Sequence, residues 1–121
     1  MALLKPNGLL VISCPSIDGF DIATLGSNSG AIDHEHLNYF SPKSLGNMVE
    51  RAGFQLLELI TPGELDVDIV RKAFINDLVT LDQNSLMKIL FDERYEELKK
   101  PLQTFLKENK LSSHLWCIAK K

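Results

Sequence analysis

A short apolar run lies near the start of the chain, between two sets of turn-forming residues. Leu9–Ile12 is apolar at every position, with Pro6 and Gly8 before it and Pro15 after it. Proline fixes φ and glycine adopts positive φ, so a turn precedes the run, and Pro15 lacks the N–H that a strand ladder needs. Apolar residues without alternation are typical of a strand covered on both faces. The pattern predicts a buried strand of a parallel sheet with helices on both sides.

A sharply bounded helix and a second strand follow this first element. Ser41 is a good N-cap, Pro42 suits the first helical position, and Gly53 is placed to end the helix. The helical period is carried by Leu45, Met48, Val49 and Ala52. Residues 54–60 predict the second strand, and a single crossover helix between two strands implies that they run parallel.

Helical periodicity dominates residues 66 to about 109. Asp66 or Asp68 is positioned to begin one helix, and Asn84 or Ser85 to begin the next. The predicted core positions of the two segments are Val70, Phe74, Leu78, Leu81, Leu86, Leu90, Leu98, Leu102, Phe105 and Leu106. A proline inside a helix costs about 3 kcal/mol, so Pro101 predicts a kink or a new helix start.

The remaining stretches complete an α/β order of elements. Residues 16–40 are polar and without periodicity, which predicts a long loop, and such loops are usually functional or disordered. Residues 113–119 predict a last strand, whose direction the pattern does not fix. The order is strand, loop, helix, strand, helices and strand.

Composition limits the class of protein. The chain has 121 residues and a net charge of −3, so it forms one domain or less, and its charge gives no reason to expect nucleic acid or an anionic membrane as partner. No apolar run reaches the ~18 residues of a membrane span, and no signal peptide is visible. Cys14 and Cys117 lie in apolar runs, so we expect buried reduced thiols in a cytoplasmic protein.

The loop 16–40 holds the most reactive side chains, since Asp33, His34, Glu35 and His36 are consecutive. Ligands gather at the carboxyl ends of parallel strands, where this loop begins. His34 or His36 is therefore a candidate general base. Two other interpretations stay open, namely histidines that only bond the loop, and a metal site that would need a further ligand from another element.

Other residues of the loop are weaker candidates. Asp18, Phe20 and Asp21 could contact a substrate or belong to an ordinary Asx-rich turn, and Tyr39 is placed to hydrogen-bond or stack. The segment 26–30 is the nearest approach to a glycine-rich anion loop, but it follows no strand and opens no helix. Outside the loop, Trp116 is expected in the core.

Three segments resemble, in order, the C-terminal half of Rossmann-like (class I) S-adenosylmethionine-dependent methyltransferases. Residues 4–13 (LKPNGLLVIS) resemble the fifth strand of that family, residues 33–45 (DHEHLNYFSPKSL) a downstream signature, and residues 50–54 (ERAGF) the end of the following helix. The resemblance covers residues 1 to about 63. It implies a partial Rossmann-like sheet of about three strands, with flanking helices and a helical insertion. The last strand would lie antiparallel between the other two.

The resemblance also implies S-adenosylmethionine as cofactor of the intact family member and a small-molecule methyl acceptor. In this chain the candidate catalytic residues are His34 and His36. The candidate substrate-binding residues are Asp18, Phe20, Asp33, Glu35 and Tyr39. The family's glycine-rich cofactor turn has no match, because no two glycines are separated by one residue. We expect a single partial domain that is inactive and cofactor-free alone. Its parts are residues 1–63, a helical insertion at 64–110 and a final strand at 111–121.

Two alternatives belong to other classes of protein. The strand 9–13 would lie at the edge of the sheet, and an unpaired apolar edge recruits a partner strand. The chain would then be a non-enzymatic interaction module that forms a homodimer or binds a separate N-terminal half. A weaker alternative is a metal-dependent hydrolase built on the His-Glu-His segment.

Overall fold

The computed structural model describes residues 4–80 and 85–121, in which three strands and five helices form an α/β fold. The strands are β1 (Leu9–Pro15), β2 (Gln55–Ile60) and β3 (His114–Lys120). The helices are α1 (Phe20–Leu25), α2 (Pro42–Arg51), α3 (Asp66–Ile75), α4 (Leu86–Lys88) and α5 (Tyr95–Glu108). A 3₁₀ turn, Gly26–Asn28, follows α1, and a π-helical turn, Ile89–Glu93, follows α4. The predicted positions Leu81 and Asn84 lie outside the described residues.

The sheet has the strand order β1-β3-β2, and β3 is antiparallel to both neighbours. Because both outer strands oppose β3, β1 and β2 run parallel to each other. The predictions of a parallel pair and of a last strand inserted antiparallel between them are confirmed. A bulge at Leu57 shifts the register between Leu56 and Glu58. The predicted division of the chain into three parts stays a prediction.

Helix α2 covers one face of the sheet. Leu45 and Val49 pack against Leu115, Cys117 and Ala119 of β3 to form the first core. The helix begins as predicted, with a capping box in which Ser41 and Ser44 bond each other's backbone N–H, and it ends before Gly53, whose φ of +85° suits glycine.

The second face of the sheet is open, which corrects the prediction of a strand covered on both sides. Side chains alternate between faces along a strand, and Leu9 and Val11 of β1 are 57% and 62% exposed. Trp116 of β3 shares this face and is 40% exposed, so the prediction that it lies in the core is wrong. The reason is that α1, α3 and α5 pack against one another around a second core rather than over this face.

That second core holds a helix that the sequence pattern missed. Helix α1 lies inside the predicted loop 16–40, and its Phe20 ring stacks on Phe91 at 6.0 Å. At six residues α1 is too short to establish a helical period, and its N-cap Gly19 offers no side-chain cap. The rest of the core is formed by Leu25, Val67, Val70, Ala73 and Leu106.

The helical insertion differs from prediction at its boundaries. Asp66 is the first residue of α3, after the N-cap Leu65. Pro101 lies inside α5 and starts no helix; the break falls at Arg94, whose φ of −126° is not helical. Predicted core positions that are exposed instead are Leu78, Leu86 and Phe105.

A buried polar cluster joins the helices to the start of β3. The Asp66 carboxylate is 2% exposed and accepts hydrogen bonds from Ser112 Oγ (2.6 Å), Ser113 N (2.7 Å), Ser113 Oγ (2.8 Å) and Gln103 Nε2 (2.7 Å). Burial raises the pKa of Asp66, but these bonds outweigh it and hold that pKa below its ordinary value. The cluster fixes the helices beside the carboxyl ends of β1 and β2.

Candidate functional site

A cleft of about 990 Å³ lies between the carboxyl ends of β1 and β2 and the neighbouring helices. It lies at the carboxyl ends of β1 and β2, which is where ligands bind in open α/β sheets. The strands contribute Ser13, Cys14, Pro15, His114 and Trp116 to its wall. The helices and loops contribute Asp21, Leu25, Asn28, Gly30, Ala31, His36, Pro62, Gly63, Glu64, Leu65, Asp66, Ile69, Lys72, Ala73, Asn76, Leu78 and Ser113.

His36 is oriented in this wall by Asp33. Its Nδ1 lies 2.9 Å from Asp33 Oδ1, which also accepts the backbone N–H of Glu35 at 2.9 Å and that of His36 at 3.0 Å. An ionised carboxylate only accepts, so Nδ1 carries a hydrogen, and in the neutral imidazole Nε2 keeps its lone pair. Desolvation raises the pKa of Asp33, but the hydrogen bonds from His36 and Glu35 together outweigh it and bring that pKa below the ordinary value. Asp33 therefore stays ionised and fixes the tautomer that a general base needs.

A series of hydrogen bonds ties the His36 loop to helix α1. The Tyr39 hydroxyl donates to Ala31 O and accepts from Asp33 N, both at 3.1 Å. Ser29 Oγ accepts from Ala31 N at 3.2 Å and donates to Asp21 Oδ2 at 3.0 Å. Asp21 thus anchors the loop that carries the candidate base.

A second histidine lines the cleft from β3. Trp116 Nε1 donates to His114 Nε2 at 2.6 Å, and Ser13 Oγ lies 3.4 Å from the same nitrogen. The indole N–H only donates, so Nε2 of His114 accepts and its hydrogen resides on Nδ1. His114 is remote from the loop in sequence, and only the antiparallel placement of β3 brings it to the same cleft.

The structure brings only part of the predicted site together. Of the predicted catalytic pair, His36 lines the cleft, whereas His34 is exposed and outside its wall. Asp33 hydrogen-bonds the His36 ring, Tyr39 accepts the backbone N–H of Asp33, and Glu35 donates its backbone N–H to the Asp33 carboxylate. Asp18 is exposed outside the wall, and Phe20 is part of the helical core. All these functional assignments stay predictions.

The geometry supports neither a reactive role for the two thiols nor the alternative of a metal site. Cys14 and Cys117 lie on neighbouring strands as free thiols, and burial raises the pKa of both, with the nearby Cys117 adding to the rise at Cys14. Residues 4–80 and 85–121 contain no group of three or more His, Cys, Asp or Glu side chains placed to hold a metal. In the same ranges, every helix is too short or too polar to cross a bilayer.

The glycines do not form a cradle for S-adenosylmethionine. A Cβ at Gly19 would collide with Ser113, and one at Gly63 with Ser112, so both glycines serve chain packing. Gly30 faces open space at the cleft, but the turn that holds it follows a helix rather than a strand. A cradle for the cofactor needs glycines directly after a strand, and the described residues do not fit it.

Residues 1–59 match the family model described as a methyltransferase domain. A search of curated proteins found no match. A search of solved structures also found none. The matched segment contains β1, α1, α2, most of β2 and the Asp33–His36 pair, and it supports a methyltransferase-like function for this part of the chain.

Proposed function

We propose that this chain forms the acceptor-binding part of an S-adenosylmethionine-dependent methyltransferase with a partial Rossmann-like sheet. The observation that carries the proposal is His36, which lines the cleft, is oriented by Asp33, and falls within the segment that matches the methyltransferase model. The β1-β3-β2 order supports the same family, because the resemblance implies this antiparallel insertion.

In this proposal the cleft holds a small methyl acceptor with its O–H or N–H group near His36 Nε2. Imidazole exchanges protons near neutral pH, so Nε2 takes the acceptor's proton while Asp33 stabilises the resulting imidazolium through Nδ1–H. The walls fix the orientation of the acceptor, and alignment of reacting groups is a large part of catalysis in such transfers. S-adenosylmethionine is the methyl donor that the resemblance implies.

The role of His36 is tested on protein purified from its source under native conditions, with any partner that accompanies it. Transfer of labelled methyl from S-adenosylmethionine to a small-molecule extract is measured. We expect His36→Ala to lower the rate by about 10²–10⁴-fold. His34→Ala is the matched control and should stay within about twofold, since surface changes of this kind are near neutral. An unchanged rate in His36→Ala refutes the base, and no transfer by the wild type refutes the methyltransferase.

Cofactor binding tests a separate part of the proposal. The described glycines form no cradle, so we propose that the isolated chain binds S-adenosylmethionine weakly or not at all. Isothermal titration of the purified 121-residue chain with S-adenosylmethionine measures this. Micromolar binding would contradict this part and would place a cofactor site on the chain itself.

One observation favours the alternative of an interaction module. Among the described strands β1 pairs only with β3, and Leu9 and Val11 leave an apolar surface beside its free edge. Such edges associate unless they are protected by charges, and β1 has none. The alternative predicts a dimer or a complex with a separate N-terminal half. A clean monomer in sedimentation at all concentrations argues against the dimer.

A further inference from the structure

We propose that the cleft selects an apolar molecule bearing a protonated amine, and that Asp21 Oδ1 accepts a hydrogen bond from that amine. The binding stands on the cleft alone, whereas the identification of this amine as the methyl acceptor rests on the proposed function. The proposal follows from one incompletely bonded carboxylate, from the charge of the cleft wall and from its apolar surface.

Asp21 is a buried carboxylate with one oxygen left over. Its residue is 2% exposed and it lines the cleft. Oδ2 accepts from Ser29 Oγ at 3.0 Å, whereas Oδ1 is buried and has no hydrogen-bond partner within residues 4–80 and 85–121. Buried polar atoms in native proteins nearly always have a partner. Because Oδ1 is closed to solvent in the empty cleft, a bound amine reaches it only when neighbouring side chains of the wall shift, and it then satisfies Oδ1 without breaking the bond from Ser29 that anchors the loop.

The charges of the wall favour a cation as that donor. Its charged side chains, apart from the histidines and the Cys14 thiol, are the carboxylates of Asp21, Glu64 and Asp66 and the ammonium of Lys72. Both oxygens of Asp66 are already occupied by donors of the chain, so Asp21 is the buried carboxylate with free capacity. A concave surface with an excess of one sign concentrates ligands of the other sign. An ammonium therefore fits better than an anion.

The rest of the wall suits an apolar body. Leu25, Ile69, Ala73 and Leu78 contribute aliphatic surface, and Trp116 contributes a half-exposed ring. Ligand pockets commonly combine such surface with a few polar groups that fix orientation. The inferred ligand class is an aryl or alkyl amine rather than a phosphate, a sugar or a carboxylic acid.

Trp116 makes the proposal easy to test, because it is the one tryptophan in the sequence and it lines the cleft. Its fluorescence is followed while the protein is titrated with 2-phenylethylamine, 2-phenylethanol or 3-phenylpropionate, which share a phenyl group and differ in charge. We expect the amine to bind at least about tenfold more tightly than the carboxylate, as for a hydrogen bond between charged groups. Equal binding of the amine and the carboxylate overturns the proposal.

Three variants identify the group responsible. Asp21→Asn should weaken amine binding about tenfold and leave the alcohol within about twofold. Asp18→Asn removes the same charge from an exposed position outside the wall and should retain the amine preference. Ser29→Ala removes the anchor of Oδ2 but keeps the carboxylate, so it should also retain the preference. If Asp21→Asn fails to fold by circular dichroism, the comparison of the amine with the carboxylate on the folded wild type decides, because equal binding there overturns the proposal.

The outcomes separate this proposal from the proposed function, because binding is measured without a methyl donor. A loss of preference in Ser29→Ala, or an unchanged preference in Asp21→Asn, overturns the amine site. Amine selectivity without methyl transfer supports the site and refutes the methyltransferase. Methyl transfer without amine selectivity supports the methyltransferase and overturns the amine site.

Discussion

The Asp66 cluster offers the sharpest test of how the cleft is held together. Four donors converge on one buried carboxylate, and they come from α5 and from the two residues before β3. Asp66→Asn keeps the shape of the side chain but removes its charge and turns one acceptor oxygen into a donor. The variant therefore tests the electrostatics of the junction with little change in packing.

The expected loss of unfolding free energy in Asp66→Asn depends on which of the four donors can find another hydrogen-bond partner. The amide oxygen of the variant can keep the bonds from Ser113, and the Ser112 hydroxyl can rotate to accept from the new NH₂. Gln103 Nε2 cannot rotate in this way, although it keeps its 2.9 Å bond to Gly63 O. One hydrogen bond to a charged group is lost, at about 1.5–3 kcal/mol, and the others become neutral bonds of about 1 kcal/mol. The expected loss is about 2–4 kcal/mol at pH 7, after a small offset for no longer burying a charge.

The stabilisation by Asp66 also depends on pH. The folded-state pKa of Asp66 lies below its ordinary value of 3.8, so its stabilisation is fully present above about pH 5 and is lost as the pH falls through the folded pKa. The difference in unfolding free energy between wild type and Asp66→Asn should therefore be constant from about pH 5 to pH 7 and should shrink below about pH 4.

Urea unfolding followed by circular dichroism measures both effects. With a slope of about 2 kcal/mol per molar urea, the middle of the usual range, the midpoint of Asp66→Asn should fall by about 1–2 M at pH 7. Asp77→Asn is the matched control, since Asp77 is exposed after α3 and its φ of +56° suits asparagine equally well. Equal midpoints for Asp66→Asn and Asp77→Asn would refute the reasoning, and so would a difference that grows as the pH falls.

Two further predictions concern packing and titration. Gly19→Ala should cost about 1–3 kcal/mol in urea unfolding, because its Cβ meets the backbone of Ser113; Gly30→Ala, whose Cβ meets open space, should stay within about 0.5 kcal/mol, and equal losses would contradict the contact. Burial and the hydrogen bond to Asp68 raise the pKa of Tyr95 to about 12. Asp68→Asn should lower it when the ring is followed by NMR, and an unchanged Tyr95 pKa would exclude Asp68 as a cause.

The sequence predicts those elements whose signals are local. Ser41, Pro42 and Gly53 bound α2 because a capping side chain, a fixed φ and a positive φ each act within a few residues. The two outer strands were equally visible as apolar runs. Helix α1 was not visible, because its six residues are stabilised by Phe91 and by α3, which lie far away in the chain.

In the candidate site, too, the sequence predicts what is local and misses what distant parts of the chain contribute. Asp33 and His36 lie three residues apart in one turn of the loop, and the sequence marks both as candidates. His114 and Trp116 reach the cleft only because β3 enters the middle of the sheet from the far end of the chain. The apolar pattern of β3 does not show that His114 and Trp116 lie on the open face of the sheet, whereas Leu115 between them is buried. The resemblance implied the position of the strand, but not which of its side chains would line a cleft.

The two oxygens of Asp21 connect the proposed base with the proposed ligand site. Oδ2 holds Ser29, and through Ala31 and Tyr39 it restrains the loop that carries His36. Oδ1 is the atom proposed to accept the amine. Loss of the Oδ2 bond therefore acts on the position of the base, whereas loss of the charge acts on ligand affinity. Ser29→Ala should for this reason lower turnover more than affinity, and Asp21→Asn should lower affinity first, since an asparagine oxygen can still accept from Ser29.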